Sequence, residues 1–576
     1  MCGIHGFLGN DTEKIKTMID LARHRGPDGS GYWSDEHITL GHNLLSIVDE
    51  VSPSTQPWIH HDLVLVYNGE IYNYKELRSN LNHEFSTNTD TEVLAVGLKQ
   101  QGKEFLYNID GMFALACYNT KTKKLLLARD SNGAKPLYFG HLNNQLCFSS
   151  EIKSLLSLGF PRKVSKEGFK HYYYSGLTTG YYTLFDKIFR LVPGEIIEID
   201  LTNPQITVKE NINNRSLEPF RGNVTELPEM LRTNLAQASK MTLMGRREVG
   251  LFLSGGMDSS SVFYALAKDL NQPPKTFSTR FDTPINDKLN EDADIAKRLS
   301  QEFNSQHSEC FFTEQDWVDN IAKTILALEE PRQGRSFPAY YLTNKLLSDS
   351  GITVTLSGDG GDELLVGYKQ YQTPPFTNKI IKLRSTLQPL KNSEYHISVD
   401  EQTDYLYSWL PQGGLTGDAL NDYMYTECLN HLSEDFLVRN DKLGMAFGME
   451  ARFPMLCNRF KNFVRSIPSE MKINTEMFQK NWSQYNKGLL KKAYKHRLPD
   501  YVLNKKKSGW RAPTDEWVIG IKQKPAPDNS PLKDYVRSLL TPEILDIFEV
   551  PGSDLDARYL NNKNHDSDLK PGKAGI

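Results

Sequence analysis

Val249-Gly250-Leu251-Phe252-Leu253-Ser254-Gly255-Gly256-Met257-Asp258-Ser259-Ser260 reads as a buried strand, a glycine turn and the start of a helix. The apolar run bounded by glycine has the pattern of a strand covered on both faces. The glycines let backbone approach a ligand closely. Successive N–H groups at a helix N-terminus then make an anion site. No GxxxxGK[ST] pattern is present, so this is not the Walker phosphate loop. Asp258 would repel a bare phosphate and fits the loop only as a holder of a divalent cation. Ile352-Thr353-Val354-Thr355-Leu356 followed by Ser357-Gly358-Asp359-Gly360-Gly361-Asp362-Glu363 repeats the strand-then-glycine arrangement. Strands alternating with helices predict an α/β parallel sheet. Ligands of such sheets bind at the carboxyl ends of the strands, so the two loops are expected to face one nucleotide, with Asp258 and Asp362 as Mg²⁺ ligands.

Outward from this core the chain changes character. The 576 residues exceed one hydrophobic core, and the composition (39% hydrophobic, 24% charged, net charge −4) is that of a water-soluble multidomain protein. It lacks the basic face of a nucleic-acid binder and any apolar run long enough for a membrane. Lys505-Lys506-Lys507 is either a solvated loop or a phosphate contact. Six scattered cysteines without CxxC spacing argue against a disulfide framework or structural zinc and fit a reducing compartment, read as the cytoplasm. The first two hundred residues show short strand-like runs (Leu63–Tyr67, Leu125–Ala128, Gln145–Phe148) with a helix near Thr89–Gln101, the pattern of an α+β domain of packed sheets. Asn68-Gly69 after the first run is a turn signal. The polar stretch from Asn203 to Leu227 reads as the linker. The predicted domains are 2–205 and 225–560, the second ending in a helical part, with a polar tail at 561–576.

The other informative residue is Cys2. Once Met1 is trimmed it carries an α-amine (pKa about 7.7–8.0) beside its thiol. That amine can take the thiol proton and generate the nucleophile without a histidine. A secretory signal is not expected ahead of such a residue.

Read together, these motifs resemble those of glutamine-hydrolysing asparagine synthetases. The resemblance runs through Met1–Ile4, Arg23–Asp28, Leu45–Asp49, Asn68–Asn73, Thr89–Val93, Asp110–Ala114 and Ser149–Leu156. It continues through the two glycine loops, Met449–Pro454, Lys487–Lys491 and Lys507–Trp510. The first glycine loop also resembles that of N-type ATP pyrophosphatases, which split ATP between the α and β phosphates. The resemblance implies an Ntn-hydrolase-type αββα sandwich followed by an ATP pyrophosphatase domain. Cys2 would attack the side-chain amide of glutamine, with Asn68 and the Gly69 N–H as oxyanion hole. Glu70 and Asp90 would hold the glutamine α-ammonium, and Arg25 would lie near the nucleophile as a glutamine-binding residue. In the second site ATP would activate aspartate as its adenylate, and ammonia would displace AMP. Phe252, Ser254, Gly255, Gly256, Asp258, Ser259, Ser260, Thr279, Ser357 and Gly358 are the implied ATP contacts, and Asp359 the acidic group near the intermediate. Lys487 would neutralise pyrophosphate. The implied partners are glutamine, aspartate and ATP with Mg²⁺, and neither nucleic acid nor membrane; the oligomeric state stays open between monomer and homodimer.

The sequence also departs from the family. Leu44 stands where the family carries the arginine that clamps the glutamine α-carboxylate. Losing that partner costs roughly 1.5–3 kcal/mol. This predicts weak glutamine use, a substitute cation, or a preference for free ammonia. Ser131, Leu456-Cys457 and Leu365-Val366-Gly367-Tyr368 also differ from the family pattern, which leaves open an acceptor other than aspartate, such as a sugar acid. A β-lactam-forming cyclase fits less well, because that branch lacks the Cys2 nucleophile. A non-catalytic binding protein is disfavoured by the intact Cys2, Asp258, Asp362 and Lys487.

Overall fold

The computed structural model describes residues 2–48, 56–203, 205–282, 289–332, 336–372, 401, 404–405, 408–411, 413–507 and 512–513. The predicted polar tail and the end of the helical region therefore lie outside the described residues.

The N-terminal domain is built from two antiparallel six-stranded sheets. One runs in the order Ile188–Arg190, Tyr138–Leu142, Gln145–Ser149, Gly3–Leu8, Ile38–Leu44, Gly29–Ser34; the other Gln205–Asn211, Glu195–Asp200, Lys124–Arg129, Gly111–Asn119, Leu63–Ile71, Trp58–His60. Side chains alternate between the two faces of each strand. Val64, Val66, Ala114, Ala116 and Tyr118 point into the space between the sheets, where they meet Ile4, Leu8, Ile38 and Leu40. Leu63, Leu65, Tyr67, Phe113, Leu115 and Cys117 point outward under the helix Asp90–Gln101. The outer face of the other sheet is covered by the helices Thr12–Leu21 and Ile152–Leu156. Both faces of these strands are thus covered, which explains why Leu63–Tyr67 is apolar without interruption. The layering is helix, sheet, sheet, helix, as expected.

Two sequence readings are corrected here. Asn68-Gly69 is not a turn. It lies within the strand Leu63–Ile71, with Asn68 opposite Ala114 and Gly69 opposite Phe113. A Cβ at Gly69 would stand 2.1 Å from the Met112 carbonyl oxygen, so glycine is there for close backbone approach. The stretch read as linker from Asn203 also contains a strand, Gln205–Asn211, paired with Glu195–Asp200. It is an edge strand with Ile206 51% exposed, and a strand so open to water carries the polar composition of a loop.

The C-terminal domain holds a five-stranded parallel sheet in the order His307–Phe312, Lys275–Phe281, Val249–Phe252, Val354–Leu356, Glu450–Arg452. Strand order reverses between Val249–Phe252 and Val354–Leu356, and the two glycine loops leave this switch point side by side.

The domains meet across buried ion pairs. Arg129 and Arg190 of the first domain both bind Glu434 of the second, and Arg190 also reaches Glu330 at 3.0 Å. Arg25 Nη2 lies 2.9 Å from Asp441, and Lys153 lies 3.5 Å from Glu329. Burial raises the Glu434 carboxyl, but Arg190 and Arg129 outweigh it and hold the group below the usual carboxylate range. Glu434→Gln leaves two buried guanidiniums short of a counter-charge. It is expected to lower stability by about 3–5 kcal/mol, read as a lower urea midpoint with the two domains separating into distinct transitions; an unchanged midpoint contradicts this.

Candidate active sites

Cys2 stands at the head of the strand Gly3–Leu8 and is 7% exposed. Its backbone N–H donates to Asn68 Oδ1 at 3.0 Å, so groups from the two facing sheets meet here. Because the oxygen of the Asn68 amide is taken, its Nδ2 is defined as the remaining donor. That Nδ2 is buried and has no hydrogen-bond partner among the described residues. An unsatisfied donor fixed beside a nucleophile is what stabilisation of a developing oxyanion needs. Burial pushes the Cys2 thiol up to about 11, opposed by the amino terminus and the Leu45 N–H. A thiol that burial holds neutral needs a nearby base before it can act as a nucleophile.

A cavity of about 40 Å³ opens on Cys2, Leu44, Gly69, Glu70 and Asp90. Asp90 begins the helix capped by Thr89 and accepts from Tyr67 Oη and the Ile71 N–H, both at 3.0 Å. Burial nonetheless raises it to about 6. Glu70 is raised well above the carboxylate range, first by burial and then by the Glu450 charge. Leu44 faces this cavity with an alkyl group. Asn68 and Arg25 are both fully buried and are not among the residues lining the cavity. Arg25 Nε donates to the Cys2 carbonyl at 3.1 Å and Nη1 to Glu151 at 2.7 Å, so it braces the nucleophile's backbone from behind.

The second centre is a cleft of about 430 Å³ at the switch point. Phe252, Ser254, Gly256, Asp258, Ser259, Thr279, Ser357, Gly358, Asp359, Asp362 and Lys487 line it, whereas Gly255 and Ser260 are not among the lining residues. Gly256 caps the helix Met257–Tyr264 without a side-chain bond, which leaves first-turn N–H groups to the cleft. Ser254 Oγ and Ser259 Oγ are 3.0 Å apart and close the loop. Phe252 stacks on Tyr340 with ring centroids 4.8 Å apart. Asp359 accepts from Ser357 Oγ at 2.6 Å and from Asn440 Nδ2 at 2.7 Å, and Arg439 lies 3.8 Å away.

Lys487 bonds Asp258 and lies 2.6 Å from Asp362, while Lys507 reaches the other Asp362 oxygen at 2.6 Å. Lys487 takes left-handed backbone (φ 52°) at the start of the helix Gly488–Ala493. Burial opposes ionisation of Asp362, but the two ammoniums outweigh it and bring the group down to about 2. Asp258, bonded to Lys487 alone, is pushed up by burial. The donor set fits Mg²⁺, which binds through one or two carboxylates plus substrate phosphates. Asp258 Oδ1 is buried and without a hydrogen-bond partner among the described residues. A Cβ on Gly361 would stand 2.4 Å from that oxygen, so the backbone leaves room there only for the carboxylate.

A glutamine amidotransferase domain model matches residues 1–210, and an asparagine synthase model matches residues 230–546. The chain belongs to the asparagine synthase family. Asparagine synthetase [glutamine-hydrolyzing] 1 of Bacillus subtilis (strain 168) is 28% identical over 94% of this chain and 93% of its own length. Asparagine synthetase [glutamine-hydrolyzing] 3 of Arabidopsis thaliana is 29% identical over 91% of this chain and 81% of its own. The family comprises carbon–nitrogen ligases that use ATP.

Sequence reasoning left Lys507 open between solvent and phosphate and did not single out Arg439, Asn440 or Glu363, which also line or support the cleft. The Lys505–Lys507 run was the available signal for the first. No local signal marks Arg439, whose partner Asp359 is distant in sequence. Asp362, with its pKa depressed, contributes stability that is complete above the unfolded value of about 3.9 and is lost as pH falls through about 2. Asp362→Asn is therefore expected to flatten the fall in urea midpoint across that acid window; an identical acid slope in the variant contradicts the pairing.

Proposed function

We propose that the chain amidates aspartate to asparagine with ATP, through an aspartyl-adenylate, using ammonia released from glutamine at Cys2. The reading is carried by the Lys487–Asp258–Asp362 cluster at the switch point of the parallel sheet. A lysine fixed between two carboxylates, beside an uncapped helix N-terminus, suits a leaving pyrophosphate better than a transferred γ-phosphate. Mg²⁺, when bound, would neutralise phosphate charge at Asp258 and Asp362.

The residues divide the work simply. After removal of Met1, the Cys2 amine takes the thiol proton as sulfur attacks the glutamine carboxamide, returns it to the nitrogen as the C–N bond breaks and ammonia leaves, and water then hydrolyses the thioester to glutamate and free Cys2. Asn68 Nδ2 and the Gly69 N–H receive the oxyanion, and Glu70 and Asp90 hold the α-ammonium. In the cleft, the acceptor carboxylate attacks the α-phosphorus of ATP. Lys487 follows the charge onto pyrophosphate, and ammonia displaces AMP with Asp359 beside the reacting carbon.

Leu44 favours a second reading of the same enzyme, one that prefers free ammonia, because the cavity holds an alkyl group where a cation would clamp the α-carboxylate. A panel of carboxylate acceptors (aspartate and sugar acids among them) assayed for AMP and pyrophosphate tests the acceptor. AMP with aspartate alone supports the proposal, AMP only with another acid reassigns the substrate, and ADP overturns the chemistry. Cys2→Ala is expected to abolish glutamine-driven AMP formation and leave the ammonia-driven rate intact; loss of both contradicts the role given to Cys2. Leu44→Arg is expected to lower the KM for glutamine about ten- to a hundredfold, with the KM for ammonia unchanged.

A further inference from the structure

The segment Met449–Pro454 has no part in either centre as described so far. Its strand Glu450–Arg452 pairs with Val354–Leu356, with Arg452 opposite Leu356, immediately before the Ser357 loop. Arg452 is fully buried. Its Nε donates to Glu450 at 2.5 Å, and Nη1 donates to the Thr242 and Met244 carbonyls at 2.8 and 2.5 Å. These bonds fix the plane of the guanidinium. Nη2 is left without a hydrogen bond among the described residues, and it stands 3.5 Å from Glu70 Oε1. Glu70 Oε2 is likewise buried without a hydrogen-bond partner among the described residues.

We propose that Arg452 of the C-terminal domain is a positioning residue for glutamine, holding Glu70 as the oriented carboxylate that receives the substrate's α-ammonium. The first reaction centre is then completed by the second domain. The proposal rests on the reading of Glu70 as the ammonium holder. Its physical basis is the neighbourhood of Glu70: Glu450 and Asp90 face it with like charge, Arg452 and the amino terminus with opposite charge, and Tyr67, Tyr72 and the Cys2 thiol as neutral groups. A carboxylate buried among other carboxylates takes up a proton and loses its hold on a cation. Burial and Glu450 leave Glu70 raised; Arg452 is the side-chain cation that limits the rise, and a guanidinium locked by three other bonds cannot turn away.

The test is glutamine hydrolysis by the full chain between about pH 5 and 9, for wild type, Arg452→Gln, Arg452→Lys and Glu450→Gln. Arg452→Gln should raise the KM for glutamine about tenfold or more at neutral pH, leave kcat at saturation nearly unchanged, and move the acid limb of kcat/KM up by about one to three units. Arg452→Lys, which keeps the charge, should hold the limb close to wild type. Glu450→Gln removes a like charge and should move the limb down. Opposite shifts from substitutions two residues apart on one strand are not produced by a merely structural role. Unchanged KM and limb in Arg452→Gln overturn the inference. If that variant does not fold, Glu450→Gln with a limb that stays or rises overturns it. Wild type that fails to hydrolyse glutamine overturns the reading of the Glu70 site and the inference together, whereas an active wild type with insensitive variants overturns the inference alone.

Discussion

Glu434 between Arg129 and Arg190 is the contact on which the arrangement of the two domains depends. Arg129, Arg190, Glu434 and Glu330 have all left water there, and the cluster is tolerable only while its charges stay paired. Such clusters add little net stability over apolar packing, yet losing one member is strongly destabilising. That asymmetry penalises any docking that leaves a charge alone. Arg25 with Asp441 repeats the rule along the same interface. The interface thus selects one relative placement of the domains, and with it one placement of Cys2 relative to the nucleotide cleft.

Both centres use that principle at smaller scale. Asp258 and Asp362 are drawn together by Lys487, and Glu70 is faced by Arg452. In each case a fixed cation opposes the burial that pushes the carboxylates up, and at Asp362 it prevails. The difference lies in the source of the cation: the nucleotide cleft finds it within its own domain, whereas the cavity beside Cys2 takes it from the neighbouring one.

The parallel sheet was legible because its signals are local: an apolar run, glycines and an acid at fixed spacing. Cys2 was legible as a candidate because a thiol and an α-amine on one residue form a self-contained pair. Local signals failed where tertiary contacts decide. Asn68-Gly69 has the composition of a turn, but its glycine serves close approach to Met112 within a strand. Gln205–Asn211 has the composition of a linker because an edge strand shares the solvent exposure of one. Arg25 follows the family pattern but is turned away from the cavity by Glu151 and Asp441, and no reading of Arg23–Asp28 contains those partners. The role of Met449–Pro454 was invisible for the same reason, since Arg452 and Glu70 are distant in sequence and join only when the domains dock.

Lys487 carries a further implication through its backbone. A side chain with a Cβ in left-handed conformation carries a conformational penalty that glycine escapes. The ammonium needed between the two aspartates is thus kept at a position where the main chain alone would favour the residue without a side chain. Lys487→Gly would relieve that penalty yet take away the cation that Asp258 and Asp362 share, and the loss of a buried counter-charge outweighs the relief of backbone strain.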